Sequence, residues 1–415
     1  MNTDIASSAL SPKTWPFSIE FLPPQACLVG GAVRDALLGR RAEYLDLDFV
    51  LPTDSVKTGR KMANKCKCGF VVLDAQRQIA RVVFKQATVD LALQDGDSLE
   101  TDLQRRDFTI NAIAYNPHTQ EIIDPLQGVA DLQVGLIRMV CQQNLREDPL
   151  RLLRAYRQAS QLGFTIEAET KSVIPKLAPL AGQVAAERVR VELSYLFKSA
   201  QGTPWLQEAW EDKLLPVWFP HAQAQDVAKI ALIDNYAEIL TETWPQLGAE
   251  LQSPVAKKLF SLLSLAKLAC LVPLPSETAE ESLRGLKYTR AEVRAVGTAL
   301  RCLPELLSHP QDPLSLRQQF FFFREVGSFF PIVILLALAE GICIESLEPL
   351  IERYLNSSDQ VAHPQPLVTG KELMQAFDLP AGSPVGWLLT EIQIARIEGK
   401  IDSREAALEL AALLI

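Results

Sequence analysis

Between residues 26 and 140 the apolar residues form short runs or alternate with polar ones, and this pattern predicts β-strands. Two stretches with helical spacing, around residues 32–39 and 55–67, lie among these runs. The expected strands are CLVGG, LDLDFVL, GFVVLD, IARVVF, ATVDLAL, EIIDP and LIRMV. This part of the chain is therefore predicted to be an α+β or α/β unit.

From about residue 145 onward the apolar residues recur every three or four positions, the spacing of amphipathic helices. A polar stretch with prolines at 355–366 separates the last helices from the others. Four consecutive phenylalanines at 320–323 invite an interpretation as a base-stacking surface. Such a run points all round a helix, however, so we expect these rings to pack between helices.

The composition is that of a globular protein, and we expect a cytoplasmic one. The chain of 415 residues is 48% hydrophobic and 22% charged, which suits roughly two to four domains. No uninterrupted apolar run approaches the length of a membrane span, and the first residues lack a signal-peptide pattern. The seven cysteines are irregularly spaced, as is typical of a reducing compartment.

The charge distribution indicates one particular anionic ligand. A net charge of −9 argues against indiscriminate binding of polyanions. Residues 138–190 nonetheless carry nine Arg or Lys against five Asp or Glu, a local surplus of four positive charges. A basic region inside an acidic protein predicts a phosphate-bearing ligand.

Two acids, Asp46 and Asp48, interrupt the apolar run LDLDFVL. Side chains alternate along a strand, so both carboxylates are expected on one face and the apolar residues on the other. Neighbouring carboxylates repel unless a positive charge lies between them, and Mg²⁺ prefers such oxygen ligands. The alternative is an exposed edge strand with solvated acids, since an isolated D-x-D is weak evidence.

A glycine pair before the first helix raises the weight of the metal interpretation. Gly30 and Gly31 let the backbone approach a ligand, the helix start offers N–H groups to phosphate, and Arg34 adds a forked cation. Triphosphate and metal would then meet at one place. A dinucleotide-binding fold is disfavoured because GGAVRD lacks the G-x-G-x-x-G spacing.

Several ordered motifs identify a resemblance to a known family. LVGGAVRDALLG and LDLD are followed by RRDFTINAIAY from Arg105, IIDPLQGVADL from Ile122, REDPLRLLRAYRQASQLGF from Arg146 and ERVRVELSYLF from Glu187. Together they resemble class II tRNA nucleotidyltransferases, the CCA-adding enzymes, and bacterial poly(A) polymerases, within the polymerase-β-like superfamily. Close correspondence covers about residues 26–198, and the C-terminal region is similar more loosely.

The resemblance implies an α+β fold in which a polymerase-β-like nucleotidyltransferase head, with a mixed sheet, precedes an all-α neck, body and tail. The head would be catalytic, the neck would recognise the nucleobase and the tail would bind tRNA. The expected segments are an N-terminal extension at 1–25, the head at 26–142, the neck at 143–205, the body at 206–354 and the tail at 355–415.

Spacing alone favours a surface ion pair one helical turn apart for Asp148 and Arg151. The resemblance reverses that preference, because these residues match the EDxxR motif with which the family reads the nucleobase. Asp148 would accept from the amino group of C or A, and Arg151 would donate to the ring nitrogen beside it. U and G present the reverse order of donor and acceptor and would be rejected. Further nucleotide-binding residues implied by the resemblance are Gly30, Gly31, Arg34, Arg105, Arg154 and Arg157.

Three more residues of the RRD motif, Arg106, Asp107 and Asn111, are expected to shape the fold of that motif. The implied catalytic and metal-binding residues are Asp46 and Asp48, with Mg²⁺ as the cofactor. Asp90, on a later predicted strand, is a weaker candidate for a third carboxylate.

The implied reaction is attack by the 3′-hydroxyl of tRNA on CTP or ATP, with release of pyrophosphate and without a nucleic-acid template. Only LALQDGDSLET lies between Asp90 and Asp102, where relatives that add all three nucleotides carry a longer segment. We therefore favour CC addition over complete CCA synthesis, with a separate enzyme adding the final A. The alternatives are a poly(A) polymerase of the same family and an inactive RNA-binding homologue.

Overall fold

The computed structural model describes residues 8–255, 259–308 and 314–415 of the chain. Two compact units are present. The first comprises Met1–Glu192 with Ser199–Trp218, and the second comprises Leu193–Lys198 with Phe219–Ile415. This division is coarser than the expected head, neck, body and tail, whose boundaries remain a prediction.

The first unit contains a seven-stranded mixed sheet, which confirms the predicted fold class. Its strand order is β3-β4-β5-β2-β1-β6-β7, and β2 and β5 are parallel neighbours whereas the other pairs are antiparallel. The strands are β1 (Cys27–Val29), β2 (Leu45–Leu51), β3 (Gly69–Asp74), β4 (Ile79–Val83), β5 (Ala87–Leu93), β6 (Ala114–Asn116) and β7 (Glu121–Ile123).

Six of the seven predicted strand runs lie in this sheet. The seventh, LIRMV, contributes only β8 (Leu136–Ile137), which pairs in parallel with β9 (Thr165–Ile166). Strand β6 was not predicted, because its three residues follow a short 3-10 turn at Thr109–Asn111 and give no alternating run of useful length.

The described part of the first unit also contains nine α-helices, and the two helices predicted in the head are confirmed. The head helices are α1 (Gly31–Leu37), α2 (Ser55–Cys66), α3 (Leu99–Gln104) and α4 (Gly128–Val134). The later helices are α5 (Gln142–Glu147), α6 (Leu150–Leu162), α7 (Ala168–Leu177), α8 (Ala186–Lys198), which extends into the residues of the second unit, and α9 (Gly202–Glu211).

The second unit is helical, as predicted, apart from a short antiparallel pair, β10 (Pro254–Val255) and β11 (Phe260–Ser261). Its described helices are α10 (Ala224–Thr243), α11 (Pro245–Leu251), α12 (Leu262–Ala269), α13 (Ser276–Gly285), α14 (Arg290–Leu307), α15 (Leu316–Val326), α16 (Phe330–Ala339), α17 (Ile344–Leu355), α18 (Gly370–Phe377), α19 (Ser383–Ile397) and α20 (Arg404–Leu414).

The phenylalanine run on α15 packs between helices, as expected. Phe320, Phe322 and Phe323 are buried, and Phe322 and Phe323 contact the ring of Phe330. The helical stretch Leu316–Ala339 is long and apolar enough to cross a membrane by length and composition, but 67% of its apolar window is buried inside the protein. It therefore has the burial of a core helix.

The glycine of the IIDPLQGVADL motif is required by packing. Gly128, the first residue of α4, lies so close to the turn at Thr109–Asn111 that a Cβ would stand 2.2 Å from the Thr109 carbonyl oxygen and 2.8 Å from Cγ1 of Ile113. Both distances are shorter than a Cβ atom can tolerate, and the Thr109 oxygen belongs to the backbone, which cannot move aside as a side chain can. The chain that follows the sheet is thus fixed against the RRD motif.

We expect Gly128→Ala to lower the free energy of unfolding by about 1–3 kcal/mol, because the added methyl group overpacks this contact. Urea unfolding followed by circular dichroism measures the effect. Gly182→Ala is the matched control in the same unit, since its Cβ would meet only Cγ1 of Val217 at 3.5 Å. Equal midpoints for the two variants would contradict the packing argument.

Candidate active site

Asp46 and Asp48 lie on one face of β2, as predicted. Leu47 and Phe49, which alternate with them, are buried on the other face. Asp46 is exposed, and its carboxylate accepts a hydrogen bond of 2.7 Å from the Thr88 hydroxyl. Because β2 lies between β5 and β1, it is not the edge strand that the alternative required.

The parallel pairing of β2 and β5 places Asp90 directly beside Asp48. Burial, together with the negative charges of Asp46 and Asp90, raises the pKa of Asp48 to about 6. From β4, Arg81 donates two hydrogen bonds of 2.7 Å to the Asp90 carboxylate. Asp90 thus belongs to the acidic cluster but already has an arginine partner.

The glycine turn lies beside the same carboxylates. Gly30 has φ 73°, a conformation that favours glycine, and a Cβ there would stand 3.6 Å from a carboxylate oxygen of Asp48. A cleft of about 860 Å³ runs past this point. Its lining includes Gly31, Arg34, Asp46 and Asp48. Four residues predicted from two separate motifs are therefore brought to one cleft.

Arg106 is a residue of this site whose position the sequence did not reveal. Its guanidinium Nη1 would lie 3.5 Å from a Cβ at Gly30, and its positive charge acts to lower the pKa of Asp48. One Nη2 hydrogen bond of 3.1 Å goes to Asp102, whereas the buried Nε has no hydrogen-bond partner among the described residues. From its motif alone, Arg106 was expected only to shape the fold of that motif.

The chemistry of this cluster suits a divalent cation. Burial first, and then repulsion from Asp46 and Asp90, raises the pKa of Asp48, and a positive ion between the carboxylates relieves that repulsion. The described residues contain no group of three or more His, Cys, Asp and Glu that could hold a metal by themselves. Asp46 and Asp48 nevertheless suffice for Mg²⁺, which commonly takes one or two carboxylates and completes its shell with water and substrate phosphates.

The predicted base-reading pair is arranged differently from the expectation of a single helix. Asp148 follows α5 and precedes Pro149, which disfavours helical geometry in the residue before it, so α6 begins only at Leu150. The Arg151 Nε and an Asp148 carboxylate oxygen are 4.0 Å apart. Arg188 on α8 donates two hydrogen bonds of 3.1 and 2.8 Å to Asp148 instead.

These neighbours fix the charge state of the pair. Partial burial acts to raise the pKa of Asp148, but Arg188, Arg151 and Arg154 outweigh it and hold that pKa below its usual value. Arg151 donates hydrogen bonds to the backbone carbonyls of Arg105 and Asn144, at 2.9 and 3.2 Å. Asp148 is therefore an ionised acceptor at neutral pH.

Arg154 and Arg157 are held by protein carboxylates. Arg154 donates to Asp107 at 3.0 Å and to Glu192 on α8 at 3.2 Å, while Arg157 pairs with the other oxygen of Glu192. Burial acts to raise the pKa of Asp107, but Arg154 and the hydrogen bond from Asn111 keep it below its usual value. Both arginines are half-buried, and the carboxylates that hold them, Asp107 and Glu192, are buried.

A chain of hydrogen bonds joins these arginines to the cleft. Arg34 donates to the Asn111 side-chain oxygen at 2.8 Å, and the Asn111 amide donates to Asp107 at 2.9 Å and to Gln158 at 3.0 Å. Asp107 in turn binds Arg154. The predicted role of Asp107 and Asn111 in shaping the RRD motif agrees with these contacts.

The structure therefore distributes the predicted site residues between two places. Arg105, Asp148, Arg151, Arg154 and Arg157 do not line the cleft of the carboxylates. Arg105 itself is exposed and pairs with Asp95. Sequence reasoning missed the partners Arg188 and Glu192, although both belong to the motif ERVRVELSYLF that carried the resemblance.

Most of the positive side chains of residues 138–190 form ion pairs with acids of the protein. At least six of the nine cations form such pairs, and they are Arg138, Arg151, Arg154, Arg157, Lys171 and Arg188. An ion-paired arginine offers less charge to a ligand than a free one. Most cations of this region are therefore already paired with acids of the protein, which counting charges along the sequence does not reveal.

Family models match most of the chain. The poly A polymerase head domain matches residues 26–94 and 92–138. The model described as the probable RNA and SrmB-binding site of polymerase A matches residues 163–225, and the putative tRNA nucleotidyltransferase domain 2 matches residues 262–412.

Full-length relatives point to the same family. The chain is 48% identical to a CC-adding tRNA nucleotidyltransferase of Synechocystis sp. over 401 residues, which cover 95% of each protein. It is 32% identical to a CC-adding tRNA nucleotidyltransferase of Geobacter sulfurreducens, over 92% of this chain and 90% of that one. Its fold resembles that of the Thermotoga maritima CCA-adding enzyme complexed with tRNA, with a TM-score of 0.70, 21% identity and coverage of 94% and 90%. The chain belongs to the tRNA nucleotidyltransferase family.

Proposed function

We propose that this protein adds two C residues to the 3′ end of tRNA, using CTP without a nucleic-acid template and releasing pyrophosphate. The observation that carries the proposal is the meeting of Asp46 and Asp48 with Gly31 and Arg34 in one cleft. Carboxylates for a divalent cation and donors for a triphosphate are the two requirements of nucleotidyl transfer. Membership of the family adds tRNA as the acceptor.

The catalytic roles follow from the position of each group. Asp46 and Asp48 would hold Mg²⁺, which when bound neutralises developing charge and activates the attacking hydroxyl. Gly30 and Gly31 let the triphosphate approach the backbone, and Arg34 lies in the same cleft with its guanidinium fixed by Asp35 and Asn111. Positioning and electrostatics then supply the rate enhancement, with no covalent enzyme intermediate.

Base selection is assigned to Asp148 and Arg151. An ionised Asp148 can only accept, so it pairs with the exocyclic amino group of cytosine, and Arg151 donates to the ring nitrogen beside it. Uracil presents an oxygen where cytosine presents the amino group and leaves the carboxylate unpaired. Arg105, Arg154 and Arg157 are proposed to complete the nucleotide site, the last two by holding Asp107 and Glu192 in place.

The connection between β5 and α3 supports two additions rather than three. It consists of residues 94–98, and Gln94 N donates to Leu51 O while Asp95 N donates to Asp102. So short and tethered a connection leaves little chain for rearrangement between one nucleotide and the next. A separate enzyme would then add the terminal A.

The remaining segments are assigned to tRNA. The neck at 143–205 would present the base-reading residues, and the body at 206–354 and tail at 355–415 would grip the folded tRNA by shape and by phosphate contacts. Since all seven cysteines are free and the expected compartment is reducing, we assign the protein to the cytoplasm.

The length and sequence of the added 3′ end test the proposed reaction. Purified protein, incubated with CTP and ATP and a tRNA that ends at the discriminator base, should extend it by two C residues and stop, which sequencing of the 3′ ends measures. A terminal A would replace the CC assignment by full CCA synthesis. Long A tails would identify a poly(A) polymerase, and no extension under any nucleotide would indicate an inactive RNA-binding homologue.

The role of Asp148 is tested by the selectivity of the enzyme between CTP and UTP. We expect Asp148→Ala to reduce the preference of kcat/KM for CTP over UTP by roughly 5- to 150-fold, since a good pairing supplies about 1–3 kcal/mol of discrimination. Single-nucleotide incorporation into the same tRNA measures the ratio. Glu169→Ala removes an exposed carboxylate on α7, outside this motif, and should leave selectivity unchanged. An unaltered ratio in the Asp148 variant would reduce that residue to a structural partner of Arg188.

A further inference from the structure

Helix α2 carries a row of cations that the proposed reaction does not use. Its exposed side contains Lys57, Arg60, Lys61 and Lys65, at positions i, i+3, i+4 and i+8, so that all four lie on one face. With Phe21 and Asn64 they line an open groove of about 640 Å³. We call these four cations the α2 basic face.

The α2 basic face lies on the side of the sheet opposite the carboxylates. The inner side of α2 packs on β4 and β5, where a Cβ at Gly59 would stand 3.1 Å from Leu91 and 3.6 Å from Ala80. Leu91 follows Asp90 on β5 and therefore points to the other face of the sheet. The groove is thus separate from the active-site cleft.

These cations are poorly neutralised by the protein. Among the described residues, the one ion pair of the α2 basic face joins Lys57 to Asp54 at 4.0 Å, and both side chains are largely exposed. Arg60 stacks on the Phe70 ring, with its guanidinium carbon 5.3 Å from the ring centroid. Lys61 and Lys65 have no ion pair in the described part of the chain. The neighbouring acid Glu20, beside Phe21, is exposed.

The spacing fits a phosphate backbone. Lys57, Lys61 and Lys65 are each four residues apart, so they stand in a row with a step of about 6 Å along the helix axis. A protein of net charge −9 repels RNA as a whole, and attraction must come from places where positive charge is concentrated. The α2 basic face is such a place, whereas the cations of residues 138–190 are mostly paired.

We propose that the α2 basic face binds phosphates of the tRNA backbone away from its 3′ end. The proposal rests on the proposed function for the identity of the RNA. Lysines that contact phosphates through charge alone add affinity without reading sequence. The surface therefore contributes to holding the tRNA and not to choosing the nucleotide.

Two variants with the same helix geometry test the proposal. The glutamine variant removes three positive charges in one chain, by Lys57→Gln, Lys61→Gln and Lys65→Gln. The arginine variant keeps these charges, by Lys57→Arg, Lys61→Arg and Lys65→Arg. Binding of tRNA is measured by filter retention between 50 and roughly 200 mM KCl, the range in which phosphate contacts dominate salt dependence. Circular dichroism of both variants reports whether α2 stays folded.

We expect the glutamine variant to bind tRNA about tenfold or more weakly at the lowest salt, with the slope of log Kd against log salt reduced by about 2–3. The arginine variant should keep the slope of the unchanged protein. In steady-state CTP incorporation, the glutamine variant should raise KM for tRNA and keep kcat.

Three outcomes would overturn the proposal. They are equal slopes for the glutamine variant and the unchanged protein, a loss of kcat at unchanged KM, and unchanged tRNA binding by a glutamine variant that no longer binds anionic phosphatidylserine vesicles in a parallel flotation assay. Failure of the proposed function is distinguishable, because the unchanged protein would then incorporate no CTP while its tRNA binding could still depend on the α2 basic face.

Discussion

Repulsion among the carboxylates on one face of the sheet is the constraint around which the active site is built. Asp48 stands between Asp46 on its own strand and Asp90 on the parallel neighbour, and burial adds to the cost of ionising it. Arg81 neutralises Asp90, and Arg106 acts on Asp48 from the other side. The net charge that remains on Asp46 and Asp48 is negative, as the binding of a divalent cation requires.

The glycine turn and Arg34 owe their use to the same cluster. They stand beside it in one cleft, where, under the proposed function, a triphosphate would share the cation with both carboxylates. The base-reading pair lies elsewhere, and the chain from Arg34 through Asn111 and Asp107 to Arg154 connects the two places. Under the proposed function, a polar network of this kind would fix the distance between the phosphate end and the base end of one nucleotide.

Local features of the fold were predictable from the sequence. The alternation in LDLDFVL placed both acids on one face of a strand, because side-chain direction along a strand depends only on position. The turn at Gly30 was predictable from residue type alone, since a positive φ favours glycine. The helical remainder of the chain also followed from periodicity.

Features that depend on distant pairing were not predictable. The neighbourhood of Asp48 and Asp90 arises from the parallel pairing of strands far apart in sequence, and the partners of the neck arginines come from α8, about 35–40 residues away. Counting charges at 138–190 did not reveal how many of these cations are paired, for the same reason. The α2 basic face was overlooked because four cations in a short helix did not stand out until the structure showed which were paired.

We propose that Asp46 and Asp48 hold a divalent cation together with the phosphates of the bound nucleotide. Electron paramagnetic resonance of Mn²⁺, titrated into the protein with a non-hydrolysable CTP analogue, tests it directly. We expect bound Mn²⁺ in the unchanged protein and in Glu121→Gln, which alters an exposed carboxylate on β7 of the same sheet. Binding should weaken by about 100-fold, the order of an effect of roughly 3 kcal/mol, in Asp46→Asn and in Asp48→Asn. Undiminished Mn²⁺ binding in both variants would contradict the account.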